Sequence, residues 1–170
     1  MKLSVTIDAP EESDGSNSTA NPDCTSTEIE RKFSTEKVTG VLEEYLREIY
    51  PSCEDYDSAE ISLTFMDADE IRALNRDYRD VDEATDVLSF PMLDDAGEMM
   101  SPVLMLGDIV ICPEEVSRLH PELSQTEGIC LMIAHSFLHL LGYDHDTEET
   151  QAAMWAKQDE ISRKILEALR

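Results

Sequence analysis

The sequence predicts an α+β fold: a mixed four-stranded β-sheet packed with helices, with one buried helix at the centre that carries metal ligands. Three observations lead there. Short segments alternate apolar with polar residues, or run nearly continuously apolar, as strands do, while longer segments repeat apolar residues at helical spacing. Strand and helix signals alternate only loosely, with one strand-to-strand step through a loop, which disfavours a regular parallel repeat. At 170 residues the chain reads as one domain, 1–170, long enough to bury a core without disulfide staples.

The elements follow in order. Leu3, Val5 and Ile7 alternate within Lys2–Asp8 and mark a first strand. Residues 9–27 are rich in Pro, Glu, Asp, Ser, Asn and Thr, with almost nothing bulky and apolar to bury. They are expected to form a mobile insertion in a surface loop. Val38, Val41, Leu42, Tyr45, Leu46 and Ile49 recur at helical spacing, giving an amphipathic helix over 34–49. Ile61, Leu63 and Phe65 alternate as a second strand. Asp67 then caps a helix running to Tyr78, with Glu70 in the capping-box position. Residues 85–90 form a third strand stopped by Pro91, and 92–102 a loop containing Gly97. The segment 104–112 is apolar except for Gly107 and Asp108, so it is expected at the centre of the sheet. Pro113 opens a short helix that ends before Pro121. Ser124 and Glu127 form a second capping box. The helix they start has Ile129, Leu131, Met132, Ile133, Phe137, Leu138, Leu140 and Leu141 all round it, so it is buried. Asp146 is expected to cap a last helix with Met154, Ile161, Ile165 and Leu169 as its inner stripe.

The buried helix carries the chemistry. His135, His139 and His145 are three of only four histidines. A spacing of four stacks His135 and His139 on one helix face. Gly142 stands where a helix can end in a left-handed residue, letting the chain turn back and bring His145 to the same point. One histidine on an apolar helix would read as a core or surface side chain. Three at this spacing, with the glycine in place, read as a metal site. Three imidazoles plus an open position are the catalytic arrangement of a single zinc ion, which can lower the pKa of a bound water to about 7. The spacing also fits the long zinc-protease motif H-E-x-x-H-x-x-G-x-x-H. Ser136, however, occupies the position of the catalytic glutamate, and a hydroxyl at its ordinary pKa cannot act as that base. A zinc peptidase is therefore a disfavoured alternative.

Arg72, Arg76 and Arg79 line one stripe of the helix that begins at Asp67. Alone, they read as a solvated face with pairs such as Asp69 to Arg72 and Arg76 to Asp80. Beside a metal hydrolase site, Arg72 and Arg76 become expected substrate contacts, because guanidinium forks match phosphate oxygens. Asp86, Asp108 and Asp144 carry two readings. They satisfy loop amides and helix ends, or they support the metal by accepting a histidine N–H.

Composition limits what can bind. Thirty-eight acidic residues against 13 basic give a net charge of −25. Such a field repels nucleic acid at long range, so an RNA substrate must find a local basic site inside an acidic shell. No apolar run reaches transmembrane length and no signal pattern opens the chain, so a cytoplasmic protein with no membrane partner is expected. Cys24, Cys53, Cys112 and Cys130 lack paired C-x-x-C spacing and read as free thiols.

Four blocks together carry a resemblance: Asn75 to Arg79; Thr-Asp-Val-Leu-Ser-Phe-Pro over 85–91; Gly107-Asp108-Ile109-Val110-Ile111; and the histidine motif. In this order and spacing the chain resembles the YbeY family of rRNA-maturation endoribonucleases. The resemblance runs from about Ser58 to the end and more weakly through the first strand and helix, leaving 9–27 outside. It implies a zincin-like domain with one zinc on the three histidines. It also implies hydrolytic cleavage of single-stranded RNA in 16S rRNA 3′-end maturation and ribosome quality control. The implied partners are rRNA and the small ribosomal subunit, with no DNA. The family's essential arginine falls on Arg79 and its first histidine on His135, making these the expected catalytic residues. Arg79 would neutralise charge growing on the phosphoryl oxygens, with attack by water or by a 2′-hydroxyl both open. The chain departs from the family pattern where a glycine usually follows the first histidine (Ser136), where a glycine-lysine pair usually follows the arginine (Asp80-Val81), and after the third histidine (Asp146, often glutamate). A non-catalytic ribosome-assembly factor with a structural metal is the other alternative.

Overall fold

A computed structural model of the chain describes residues 1–8, 29, 32–93 and 101–170. The expected insertion at 9–27, and with it Cys24, lies outside the described residues, as does Gly97. The described elements are β1 (Lys2–Asp8), α1 (Thr35–Ile49), a 3-10 turn at Pro51–Asp55, β2 (Ser58–Phe65), α2 (Ala68–Arg79), β3 (Val87–Pro91), β4 (Val103–Ile111), α3 (Pro113–Leu119), α4 (Gln125–Leu140) and α5 (Glu148–Leu169).

The four strands form one mixed sheet in the order β1-β2-β4-β3. β1, β2 and β4 run parallel, and β3 pairs antiparallel with β4. β4 is internal, as its near-continuous apolar run requires. One face of the sheet packs Val5, Ile61, Leu63 and Ile109 against α1, α4 and α5 in the main core. On the other face, Ile71 of α2 joins Leu88, Val110 and Cys112 in a smaller cluster at the β3–β4 side. Each fully buried aliphatic side chain contributes roughly 1.5–3 kcal/mol.

Both ends of β3 and the cap of α5 differ from expectation. β3 starts at Val87 rather than at residue 85, because Asp86 is drawn into side-chain bonding: its Oδ1 accepts from Thr85 Oγ1 (3.2 Å) and from the Val87 N–H (2.9 Å). β3 also runs through Pro91, opposite Gly107. This is an edge strand, where a missing N–H is tolerated. The cap of α5 is Thr147, not Asp146. Thr147 Oγ1 accepts from the Thr150 N–H and Thr150 Oγ1 accepts from the Thr147 N–H, while the Asp146 carboxyl lies beside that of Asp144, which pushes its pKa up.

Gly107 seats α4. Its φ is +137°, and a Cβ there would lie 2.2 Å from the Phe90 carbonyl oxygen and 2.9 Å from Leu140 Cδ2. Only a residue without a side chain lets the C-terminal end of α4 approach β4 this closely.

Asp80, the C-cap of α2, is left-handed with φ 57°. It is the only described residue other than glycine with positive φ. Asp80→Gly should therefore stabilise the fold by roughly 0.5–1 kcal/mol, the left-handed penalty less the unfolded-state entropy glycine adds. Urea denaturation checks this, and a lower midpoint at unchanged slope would contradict it.

Candidate metal centre

Both ends of α4 are fixed by local sequence. At the N-terminus, Ser124 Oγ accepts from the Glu127 N–H (3.3 Å), and Glu127 Oε2 accepts from the Ser124 N–H (2.9 Å). At the C-terminus, Gly142 adopts φ +87°. Its N–H donates to the His139 carbonyl and the Tyr143 N–H donates to the Leu138 carbonyl, both at 3.0 Å. This is the paired bonding of a Schellman stop. It reverses the chain and returns His145 toward α4.

The three histidines converge. His135 Nε2 lies 3.1 Å from His139 Nε2. Ring centroids are 4.5 Å apart for His135–His139, 5.4 Å for His139–His145 and 6.2 Å for His135–His145. One nitrogen from each falls within 4.8 Å of the others. His135 and His139 are half-buried and His145 is exposed, so the group opens to solvent on one side.

Hydrogen bonds behind the rings set their tautomers. His139 Nδ1 is 3.0 Å from the Tyr143 carbonyl, and His135 Nδ1 is 2.8 Å from Gln158 Oε1. Oxygen acceptors require Nδ1–H on both rings, which leaves both Nε2 atoms as lone-pair acceptors. Two acceptors 3.1 Å apart cannot hydrogen-bond each other. Their arrangement, with His145 alongside, fits a cation held by all three. Burial first, then repulsion from His135 and His145, pushes the His139 pKa below its ordinary value. The ring is thus neutral near pH 7, the form that ligates metal.

The expected carboxylate supports lie elsewhere. Asp86 Oδ2 is 2.9 Å from Nε2 of His120, the fourth histidine, which ends α3. Asp144 Oδ1 accepts the backbone N–H of His145 at 2.6 Å. The hydrogen bond from Asp146, then that N–H, lowers its pKa. Asp108 sits on β4 opposite Phe90 and Ser62. Among the described residues none of these three carboxylates accepts from a ring of the histidine group. The Schellman turn delivers a peptide carbonyl to His139 first, and α5 delivers an amide to His135. Gln158 is the residue that motif reading missed. A signal was present: Met154, Gln158, Ile161 and Ile165 follow steps of four, three and four, so a polar residue stands in the inner stripe of α5.

The arginines of α2 separate into two kinds. Arg72 grips Asp82 through Nε and Nη2 (3.0 and 3.2 Å), and Arg76 Nε donates to Asp77 (3.2 Å). The expected partners, Asp69 and Asp80, are not the ones used. The left-handed Asp80 turns the loop back and carries Asp82 to Arg72. Arg79, exposed at the last position of α2, has no hydrogen bond or ion pair among the described residues. No such bond joins any of the three arginines to a histidine. The two helix ends meet the same strand pair instead: Tyr78 packs edge-on to Phe90 at 5.2 Å, and Leu140 reaches Gly107 beside the Phe90 carbonyl. Ser136 is fully buried and its Oγ has no hydrogen-bond partner among the described residues. It makes no hydrogen bond to any of the three histidines.

Known proteins share this chain's sequence over most of its length. The family model described as Endoribonuclease YbeY matches residues 23–166. A protein of Clostridioides difficile named Endoribonuclease YbeY is 42% identical over 136 residues, covering 76% of this chain and 89% of that protein. Its namesake in Clostridium perfringens is 36% identical over 155 residues, covering 80% and 92%. A third, from Geobacillus thermodenitrificans, is 40% identical over 129 residues, covering 71% and 81%.

Proposed function

The chain belongs to the endoribonuclease YbeY family, and we propose that it is a zinc-dependent endoribonuclease that cleaves single-stranded RNA in 16S rRNA 3′-end maturation and ribosome quality control. It would act in the cytoplasm as a single zincin-like domain. The observation that carries this reading is the convergence of His135, His139 and His145 with both Nδ1 atoms committed to oxygen acceptors.

His135, His139 and His145 would hold the zinc, which supplies Lewis acidity and an activated water at the scissile phosphodiester. The chain's own groups do the rest. Tyr143 and Gln158 orient the imidazoles, each with an oxygen facing Nδ1. Arg79 keeps its guanidinium free for a phosphoryl oxygen, where it neutralises charge that grows during attack. Arg72 and Arg76 serve as secondary contacts. Their ion pairs are exposed, and such pairs are weak enough for a phosphate to exchange with the carboxylate.

A net charge of −25 leaves little general affinity for free RNA. Specificity then comes from delivery to RNA held on the small ribosomal subunit, where other contacts raise the effective concentration. Among the described residues no helix is long and apolar enough to cross a membrane.

Mapping rRNA 3′ ends in cells depleted of the protein tests the reading. Unprocessed 16S 3′ ends should accumulate, and the intact chain but not His139→Ala should restore mature ends. Mature ends in depleted cells, or full rescue by His139→Ala, would count against a nuclease and for a non-catalytic assembly factor.

A further inference from the structure

Gln158 occupies a position where an apolar residue would be expected. It lies on the inner face of α5 between Met154 and Ile161, both fully buried. Its Oε1 meets His135 Nδ1 at 2.8 Å. α5 itself is tied to α1: Lys157 Nζ donates to Glu48 at 2.8 Å, and Tyr45 Oη donates to Glu160 at 2.9 Å. The amide is therefore presented from a rigid element that does not belong to the histidine helix, the kind of support that holds a metal ligand in one orientation.

We propose that Gln158 is a positioning residue that sets His135 in its Nδ1–H form and so aims the Nε2 lone pair at the metal. This rests on the reading of the three histidines as metal ligands. The two orientations of the amide have opposite consequences. With Oε1 toward the ring, His135 Nε2 is a free acceptor 3.1 Å from His139 Nε2, and a cation can sit between them. With the NH2 toward the ring, Nδ1 accepts, Nε2 carries the proton and donates to His139, and the pair closes on itself without metal. Met154 and Ile161, buried on either side, fix the face of α5 from which Gln158 reaches the ring, and Oε1 is the amide atom that faces Nδ1. Tyr143 does the same for His139 through a peptide carbonyl, so both outer partners are neutral oxygens rather than carboxylates.

The test is the zinc dissociation constant of the full chain, measured by competition with a chromophoric chelator, for wild type, Gln158→Leu and Gln158→Glu. Leucine suits the apolar stripe but offers no acceptor. Glutamate is an acceptor with no donor when ionised. Leucine should weaken zinc binding by about 10–100-fold, while glutamate should hold it within about threefold of wild type or tighten it. The melting temperatures of the metal-free proteins should stay close to one another, which a purely structural role for Gln158 would not allow. Wild-type zinc affinity in Gln158→Leu, or equal weakening in Gln158→Glu, overturns the proposal. If leucine disturbs the fold, Gln158→Met, apolar and close to glutamine in length, takes its place with the same expected weakening. Failure of the wild-type chain to bind zinc would instead overturn the three-histidine reading beneath it.

Discussion

His139→Ala is expected to empty the metal centre. His139 is the middle member of the group, with its Nε2 3.1 Å from that of His135 and its ring 5.4 Å from that of His145. Removing it leaves one ligand on the helix and one on the returning loop, too few for a tetrahedral site that keeps an open position. The wild-type chain should carry about one zinc, bound by nitrogen at about 2.0–2.1 Å, and the variant essentially none. The fold should survive, because the burial of α4 rests on Ile133, Phe137, Leu138 and Leu140. Metal analysis of the two purified proteins, with circular dichroism as the check on folding, measures both. Unchanged zinc in the variant would rule out the three-histidine site.

Arg79→Ala is expected to leave that zinc in place and still cripple cleavage. Arg79 is exposed and holds no ion pair among the described residues, so its loss should leave the melting temperature nearly unmoved. Cleavage of single-stranded RNA should fall by about 10²–10³, the usual consequence of removing one donor from a transition state. Arg79→Lys should recover only part of the rate, because an ammonium lacks the planar fork that matches phosphate oxygens. A wild-type rate in Arg79→Ala would remove Arg79 from the reaction. The same substitution at Arg72 or Arg76 should cost much less, since each of those guanidiniums already faces a carboxylate.

Much of this is legible in the amino-acid sequence. Strand alternation and the apolar run at 104–112 placed β1, β2 and β4, and the capping boxes at Asp67 and Ser124 placed the starts of α2 and α4. These signals are local, carried by side-chain period and by a few residues around each helix end. The order β1-β2-β4-β3 was not legible, because which strands become neighbours depends on packing between distant segments. The histidine group is legible for a similar reason: two of the rings share a helix face and a left-handed glycine brings back the third. Its outer partners are not. A carboxylate is the commonest support for a ligating histidine, but Asp86 is spent on His120 and Asp144 on a backbone N–H. Gln158 lay unnoticed because one amide in an apolar stripe resembles a lapse in the pattern. The arginine pairs were misassigned because sequence spacing sees only neighbours on the helix, whereas Asp82 reaches Arg72 through a left-handed turn at Asp80.

RNA cleavage is proposed to depend on a zinc ion held by the three histidines. The most direct test of that dependence is cleavage of a labelled single-stranded RNA by the purified chain, first stripped of metal and then titrated with zinc. The stripped chain should give no product, activity should return in proportion to zinc up to about one equivalent, and His139→Ala should stay inactive at that zinc level. Equal cleavage before and after stripping, or full activity in His139→Ala, would contradict it.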